Sequence, residues 1–126
     1  MGRVYEEIEI EGKKVKVKID TGSDFALALK KEVIKKLKLV KHPKKAILLT
    51  EEGRKETPVY LANIKIGCCK FGPPQLVVEA FGEDNLLGHP ILQTLQAKVD
   101  EKKHKLVFDC DKCPTGTTGD KVGKFK

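Results

Sequence analysis

The segment KVKIDTGSDFALAL, residues 16–29, is the most informative part of this sequence. Lysine and apolar residues alternate up to Asp20, and this period of two predicts a half-buried β-strand. An acid at the end of such a strand is costly unless it is hydrogen-bonded or paired. Thr21, Gly22 and Ser23 follow at once and supply hydroxyl groups and a tight turn. We therefore interpret Asp20 either as a functional carboxylate held in a turn or as an acid in ordinary turn chemistry.

The rest of the chain predicts a mainly β domain with two short helices. Alternating or β-branched runs predict strands over residues 4–10, 15–19, 25–29, 46–50, 57–66, 76–78, 97–100 and 106–109. A change of phase within the strand at 57–66 predicts a β-bulge. Helical spacing predicts one helix within residues 30–39, which a loop over residues 40–45 ends. A second helix is predicted after Gly88, with Pro90 near its first position.

The length of 126 residues suits one domain. Forty per cent of the residues are hydrophobic, which is enough for a small core. From Cys113 onward the sequence has no apolar periodicity, and such a segment predicts a flexible tail. We predict a folded domain over residues 1–109 and a cysteine-containing, flexible tail over residues 110–126.

The chain is basic, with 25 lysines and arginines against 18 acids and a formal net charge of +7. A basic surface can bind an anionic partner such as nucleic acid. Here the lysines are spread along the chain and mixed with glutamate, and aromatic residues that would stack on bases make up only 6%. We therefore expect no nucleic-acid partner. The same lysine- and glutamate-rich composition is typical of thermophilic proteins.

No apolar segment typical of a signal peptide follows the first Met, and no apolar run approaches the length of a membrane span. We expect a soluble, cytoplasmic protein with no membrane partner. Cysteines in that compartment are normally reduced, although those of heat-loving organisms are an exception.

Four cysteines stand at positions 68, 69, 110 and 113. Cys110 and Cys113 have the spacing of metal ligands and are candidates for a metal site, with Cys68, Cys69 and His104 as possible further donors. We assign no metal, because a zinc site needs two more ligands and adjacent cysteines rarely both ligate one ion well. The other interpretations are free buried thiols, or a disulfide that ties the tail to the strand after the hairpin formed by residues 46–50 and 57–66. No βαβ pattern surrounds the pair, so a thioredoxin-type site is not expected.

Two motifs together resemble the retropepsin-like, retroviral-type branch of the aspartic proteases. VKVKIDTGSDFALAL resembles the active-site segment of that family, an apolar strand followed by Asp-Thr-Gly-Ser or Asp-Thr-Gly-Ala. DNLLGHPIL resembles the family's pair of apolar residues followed by Gly and a helix. The hairpin AILLTEEGRKETPVYLANIKIG lies between them, where the family has its mobile flap. The resemblance covers residues 4 to about 109, and a single Asp-Thr-Gly is typical of the homodimeric members.

This resemblance implies a mainly β, retropepsin-like acid protease fold: a closed β-barrel-like domain with a flap hairpin and short helices. It implies a symmetric homodimer that acts as an aspartic endopeptidase on polypeptide substrates. The reacting water would lie between two Asp20 carboxylates, one from each chain. Two carboxylates at close range share one proton, so one acts as general base and the other as general acid. The resemblance implies no cofactor.

The resemblance also assigns roles to the residues that match the motifs. The assigned catalytic residues are Asp20, Thr21 and Gly22. The residues assigned to support of the site are Ser23, Leu86, Leu87 and Gly88. The residues assigned to substrate binding are Gly22, Asp24 and Gly53. Thr21 would bond across the two-fold axis, and Ser23 would hydrogen-bond the outer oxygen of Asp20.

Two other functions are compatible with the sequence. One is a non-catalytic protein-binding or dimerisation module on the same fold, since a fold does not fix a function. The other is a basic nucleic-acid-binding β-domain. The intact Asp-Thr-Gly-Ser favours the enzyme over both. A substrate pocket is expected to use the apolar residues Ala26, Ala28, Val33, Ile47, Leu49 and Leu87, which predicts apolar side chains on the substrate.

Overall fold

The structure is a computed structural model. It describes residues 4–113, except for the side chains of residues 48–50 and 112. This part of the chain contains eleven β-strands, two α-helices and one 3-10 helix. The strands are β1 (Tyr5–Ile10), β2 (Lys13–Asp20), β3 (Leu27–Leu29), β4 (Val40–Thr50), β5 (Gly53–Ala62), β6 (Ile64–Ile66), β7 (Cys69–Lys70), β8 (Gln75–Glu79), β9 (Leu86–Gly88), β10 (Lys98–Asp100) and β11 (Lys105–Val107). The helices are α1 (Lys31–Leu37), α2 (His89–Leu95) and the 3-10 helix Cys110–Lys112. The predicted flexible tail lies outside the described residues from position 114 onward.

Nine strands form one mixed sheet in the order β4-β5-β8-β3-β9-β2-β1-β6-β7, and β10 pairs with β11 in a separate sheet. Within residues 4–113, β4 pairs only with β5 and β7 only with β6. The sheet is therefore open, and the prediction of a closed barrel is wrong. The edge strands β4 and β7 do not pair with each other within the described residues, and β7 offers only two residues for pairing. The mainly β architecture with two short helices is confirmed.

The first hairpin, β1–β2, has a tight turn at Glu11 and Gly12. Glu11 and Gly12 both have positive φ, 53° and 80°. Two left-handed residues make the type of turn whose twist matches that of paired strands. The hairpin pairs Ile10 with Lys13 and continues to Tyr5 opposite Lys18. The strand that ends on Asp20 is thus fixed along its length by β1.

Two predictions about the second hairpin, β4–β5, are wrong. Residues 40–45 are part of β4 rather than a loop, with a register shift between Lys41 and Lys45. Pro43 lies inside this irregular stretch, as expected of a residue that has no N–H to donate to the ladder. The phase change in the next strand is not a bulge, because β5 ends at Ala62 and β6 pairs with β1 instead. Asn63, between them, is held at its backbone N–H by Glu11 Oε2 at 2.6 Å.

The core lies under the strands that carry the candidate site. The largest fully buried side chains are Phe71, Ile8, Ile10, Leu27, Leu29, Ile64, Leu87, Ile91, Leu95 and Val17. Each large apolar side chain contributes about 1.5–3 kcal/mol when it is removed from water. Helix α2 presents Ile91, Leu92 and Leu95 to the same core, and Pro90 stands in its first turn as predicted. No helix in the described part of the chain is long and apolar enough to cross a membrane.

Candidate active site

The two motifs that the sequence brings forward are neighbours in the sheet. Strand β9 runs parallel to β2 with Asp20 opposite Gly88 and Ile19 opposite Leu87. Strand β3 lies on the other side of β9 and pairs Leu27 with Leu87. The Asp-Thr-Gly loop leaves the end of β2 and returns as β3, so β9 passes between the two ends of this loop. Leu87 is fully buried and Leu86 is partly buried, and their packing beneath the loop stays a prediction.

Gly88 is the point of closest approach between the two motifs. A Cβ at this position would lie 1.7 Å from the carbonyl oxygen of Phe25 and 3.1 Å from that of Ser23. The backbone N–H of Gly88 donates to the Ala26 carbonyl at 2.9 Å, and that of His89 donates to the Ser23 carbonyl at 3.0 Å. Any side chain at position 88 would push the loop off β9. A glycine is therefore required by the space, and the pairing of the motifs depends on it.

Asp20 is half-buried at the end of β2, and its own turn holds its carboxylate. The N–H of Gly22 donates to Asp20 Oδ1 at 3.1 Å, and the N–H of Ser23 donates to the Asp20 carbonyl at 3.2 Å. Ser23 Oγ accepts from the N–H of Phe25 at 3.3 Å, and its predicted bond to Asp20 stays a prediction. Thr21 and Gly22 are exposed at the top of the turn. The carboxylate is thus fixed in direction but open to a ligand.

Asn85 supports the site, and the sequence analysis missed it. Its Oδ1 accepts from the N–H of Lys30 at 2.8 Å, and its Nδ2 donates to the carbonyl of Lys16 at 3.2 Å. Its own carbonyl accepts from the N–H of Lys18 at 2.7 Å. One side chain therefore ties β2, the start of α1 and the entry to β9 together. The available signal was an amide residue placed immediately before the apolar pair Leu86-Leu87.

A family model described as "gag-polyprotein putative aspartyl protease" matches residues 7–94, which is more than half of the chain. The chain belongs to this family. Both the Asp20 loop and Leu86-Leu87-Gly88 fall within the matched residues. No curated protein sequence matches the chain.

Solved structures of retroviral-type proteases have a similar fold. EIAV protease complexed with the inhibitor HBY-793 is 25% identical, with a TM-score of 0.60 and coverage of 79% of this chain and 93% of that chain. A retropepsin-like aspartic protease from Rickettsia conorii is 25% identical, with a TM-score of 0.63 and coverage of 79% and 77%. The retroviral protease-like domain of Ddi1 from Leishmania major is 20% identical, with a TM-score of 0.64 and coverage of 86% and 90%, and supports the fold alone. The resemblance to retropepsin-like aspartic proteases is confirmed, and it supports a peptidase function.

An apolar cavity opens beside the Asp20 loop of this aspartic protease family member. Its volume is about 300 Å³, and its lining comprises Asp24, Phe25, Ala26, Ala46, Val59, Pro74, Gln75, Leu76, Val78 and Pro90. Of the expected pocket residues, Ala26 lines it, whereas Ala28 and Leu87 are buried in the sheet. A larger cavity of about 600 Å³ is lined by the end of β1, the β1–β2 turn, the start of β6 and residues 70–72, and no residue of the Asp20 loop lines it.

The hairpin β4–β5 borders the cavity of about 300 Å³ through Ala46 and Val59. Its tip is the turn before Gly53, which has a φ of 114° that side chains rarely adopt. Ile47 follows Ala46 on β4, and neighbouring residues of a strand point to opposite faces. Ile47 therefore points away from Ala46, and it is 53% exposed. Ile47 does not line this cavity, and its expected place in a substrate pocket stays a prediction; the expectation for Leu49 concerns a side chain outside the described ones.

The cysteines form two disulfides, Cys68–Cys110 and Cys69–Cys113. The interpretation in which a disulfide ties the C-terminal segment to the strand after the second hairpin is confirmed, and that of free thiols is wrong for the described residues. Cys110 and Cys113, the candidates for a metal, lie at the far edge of the sheet from β4 and not in the Asp20 loop.

Proposed function

We propose that the protein is a homodimeric aspartic endopeptidase that hydrolyses peptide bonds in polypeptides. The observation that carries the proposal is Asp20, half-buried at the end of β2, with Oδ1 held by the N–H of Gly22 and the backbone held against Gly88. A carboxylate fixed in direction at an exposed turn is suited to activate a water. The catalytic set is Asp20, Thr21 and Gly22, and the protease domain spans residues 1–109.

The reaction requires two carboxylates, and each chain has one Asp-Thr-Gly. A two-fold axis beside the exposed turn would bring two copies of Asp20 together. Two carboxylates at close range share a proton, and they titrate as a pair. The ionised one takes a proton from the water, which attacks the peptide carbonyl carbon, while the protonated one donates to the carbonyl oxygen. Thr21 is exposed, and in such a dimer it would bond across the axis.

The substrate would bind as an extended strand beneath the hairpin β4–β5, which would act as the flap. The cavity of about 300 Å³ beside Asp24 and Ala26 would take one substrate side chain. Its lining is mostly apolar, so the preferred side chain is apolar. Gly22 and Asp24 would contact the substrate backbone, and Gly53 would let the flap tip bend. The proposed chemistry uses carboxylates and water alone, so we assign no cofactor, and we propose a cytoplasmic location.

The proposal is tested with a mixed library of unfolded peptides, incubated from acid to neutral pH and read by mass spectrometry. Wild type is expected to cut between apolar residues, and Asp20→Asn is expected to lose activity by at least about 10³-fold, because one dyad carboxylate is removed from each chain. The matched control is Asp100→Asn. Asp100 lies on β10 and accepts from the N–H groups of Lys102 and Lys103, which an amide oxygen can also do.

Two outcomes are informative. Cuts in wild type and in Asp100→Asn, with none in Asp20→Asn, would support the enzyme. If a dimeric wild-type sample makes no Asp20-dependent cut at any pH, the enzyme proposal fails. The non-catalytic binding or dimerisation module on the same fold is then the better account.

A further inference from the structure

The four cysteines meet at the edge of the sheet that is farthest from β4. Cys68 lies in the turn between β6 and β7, and Cys69 begins β7. The 3-10 helix begins with Cys110, and Cys113 follows it. The Cα–Cα distances are 5.9 Å for Cys68–Cys110 and 5.5 Å for Cys69–Cys113. Both bonds therefore join the same two short segments, residues 68–69 and 110–113, and the four residues form one cluster.

We propose that the reduced cluster binds one zinc ion through the thiolates of Cys68, Cys69, Cys110 and Cys113. A tetrahedral zinc site with Zn–S bonds of about 2.3 Å places its sulfur atoms about 3.8 Å apart. The sulfurs of Cys68, Cys69 and Cys113 all lie within 4.8 Å of one another, and Cys110 is bonded to the first of them. Side-chain rotation alone can therefore bring four reduced sulfurs to zinc-binding distances.

The local backbone removes the usual objection to adjacent cysteines as ligands. Neighbouring residues of a strand point to opposite faces, which would separate the two sulfurs. Here Gly67 has a φ of 57°, and Cys68 is still in the turn when Cys69 enters β7. Both sulfurs face the C-terminal segment, since Cys68 is bonded to Cys110 and Cys69 to Cys113. On that segment, Cys110 and Cys113 have the Cys-x-x-Cys spacing of zinc sites.

One part of the cysteine cluster is buried against the core, and the other part is exposed to solvent. Cys69 is fully buried in the core, and Cys113 is partly buried against it. Cys68 and Cys110 are exposed. Phe108 packs on the turn, since a Cβ at Gly67 would lie 3.0 Å from its ring. A reductant and a metal ion can reach such a site, while the core fixes its geometry.

The change of state balances as a two-step reaction. Each disulfide takes two electrons and two protons from one dithiol, which is oxidised to its own disulfide. The four thiols then release four protons as they bind Zn²⁺, because the thiolate is the ligand. In either state residues 68–69 are tied to residues 110–113. The C-terminal segment would therefore stay attached to the sheet under reducing conditions, where disulfides open.

The test uses the full chain, reduced with a dithiol under anaerobic conditions and freed of it by gel filtration. Co²⁺ is the spectroscopic probe, and Zn²⁺ is counted by native mass spectrometry. We expect thiolate-to-cobalt charge-transfer absorption that saturates at one ion per chain and is displaced by Zn²⁺. If the reduced, folded protein gives no thiolate-to-cobalt band, or takes up no zinc, the proposal is overturned.

The variant Cys110→Ser/Cys113→Ser removes two of the four ligands. Its apparent affinity for Co²⁺ is expected to fall by more than about 100-fold, beyond the effect of losing an outer-shell partner. A variant that binds Co²⁺ as wild type does would mean an adventitious ion only, and would also overturn the proposal. If this variant does not fold, the titration of the wild type still decides the question.

Discussion

Gly88 is the residue at which the fold of the site is most sensitive to a single methyl group. Gly88→Ala would put a Cβ 1.7 Å from the backbone carbonyl of Phe25, which cannot rotate away as a side chain can. We expect the free energy of unfolding in urea to fall by about 1–3 kcal/mol or more, as in other overpacked sites. Peptidase activity should fall with it, because the Asp20 loop moves off β9.

The matched control for this prediction is Gly82→Ala. Position 82 has nothing within 4 Å of a built Cβ, so the same methyl group meets open space there. Its unfolding free energy should change by less than about 0.5 kcal/mol, as for ordinary surface substitutions. Equal destabilisation by the two variants would contradict the steric explanation of Gly88.

At the scale of single residues, the sequence predicts the residues whose contacts lie close to them along the chain. Asp20 stands out because a charged residue ends an alternating strand, and its turn follows in the next three positions. Asn85 does not stand out, since its three hydrogen bonds reach Lys16, Lys18 and Lys30, which are far away in sequence. The sequence pattern around Asn85 does not indicate hydrogen bonds to residues so far away along the chain. The residues that support a site from a distance are found only when the strands have been placed beside one another.

At the scale of elements, strand β4 sets the size of the proposed substrate cavity. Ala46 lines the cavity, while Ile47 is turned to the other face of the strand. Ala46→Leu should fill part of the cavity of about 300 Å³. We expect kcat/KM to fall by about 10- to 100-fold for peptides with a large apolar side chain, and to change little for those with alanine there. Competing peptides in one reaction, read by mass spectrometry, give this ratio directly.

Val40→Leu is the control for that change in specificity. Val40 begins the same strand and is 67% exposed, so an added methylene group there does not reach the cavity. It should leave the ratio of large to small side chains as in wild type. A uniform loss across all peptides in Ala46→Leu would mean a damaged β4–β5 hairpin rather than a smaller pocket, and would contradict the assignment of the cavity.

Strands could be predicted from the sequence where the alternation of apolar and polar residues is uninterrupted. They were less predictable where one continuous run of strand-forming residues pairs with two different strands. The hairpin β1–β2 follows from strict alternation and a glycine turn. The run from Thr57 to Ile66 has strand character throughout, yet its first part pairs with β8 and its last part with β1. Propensity is the same in both parts. Asn is disfavoured in strands, but a single such residue does not fix the break, and the pairing of the two parts with different strands places it at Asn63.

At the scale of the whole molecule, the two disulfides should stabilise the fold as one closure rather than two. Each spans 42 or 44 residues, and a loop of that length is worth about 4 kcal/mol in the chain-entropy account. Because both join the same two segments, the second closes almost no additional loop. In the oxidised, metal-free protein, Cys68→Ala/Cys110→Ala should cost less than about 1 kcal/mol, whereas replacing all four cysteines should cost about 4 kcal/mol.

Urea unfolding of the oxidised proteins measures both costs, and the intact protein with Asp100→Asn serves as a control with both disulfides present. The redundancy has a physical consequence, because either bond alone keeps residues 110–113 on the sheet. Independent effects, in which each pair contributes about half of the total, would contradict the shared closure.

The last prediction concerns the dimer, and it follows from the single Asp-Thr-Gly in each chain. If the active site needs Asp20 from two chains, mixing wild type with an equal amount of Asp20→Asn and allowing exchange leaves about one quarter of the dimers with both carboxylates. Activity should then fall with the square of the wild-type fraction. Mixing wild type with Asp100→Asn should leave it unchanged, since every dimer keeps two Asp20 residues. A linear dependence on the wild-type fraction would mean that one chain suffices, and the paired-carboxylate mechanism would have to be abandoned.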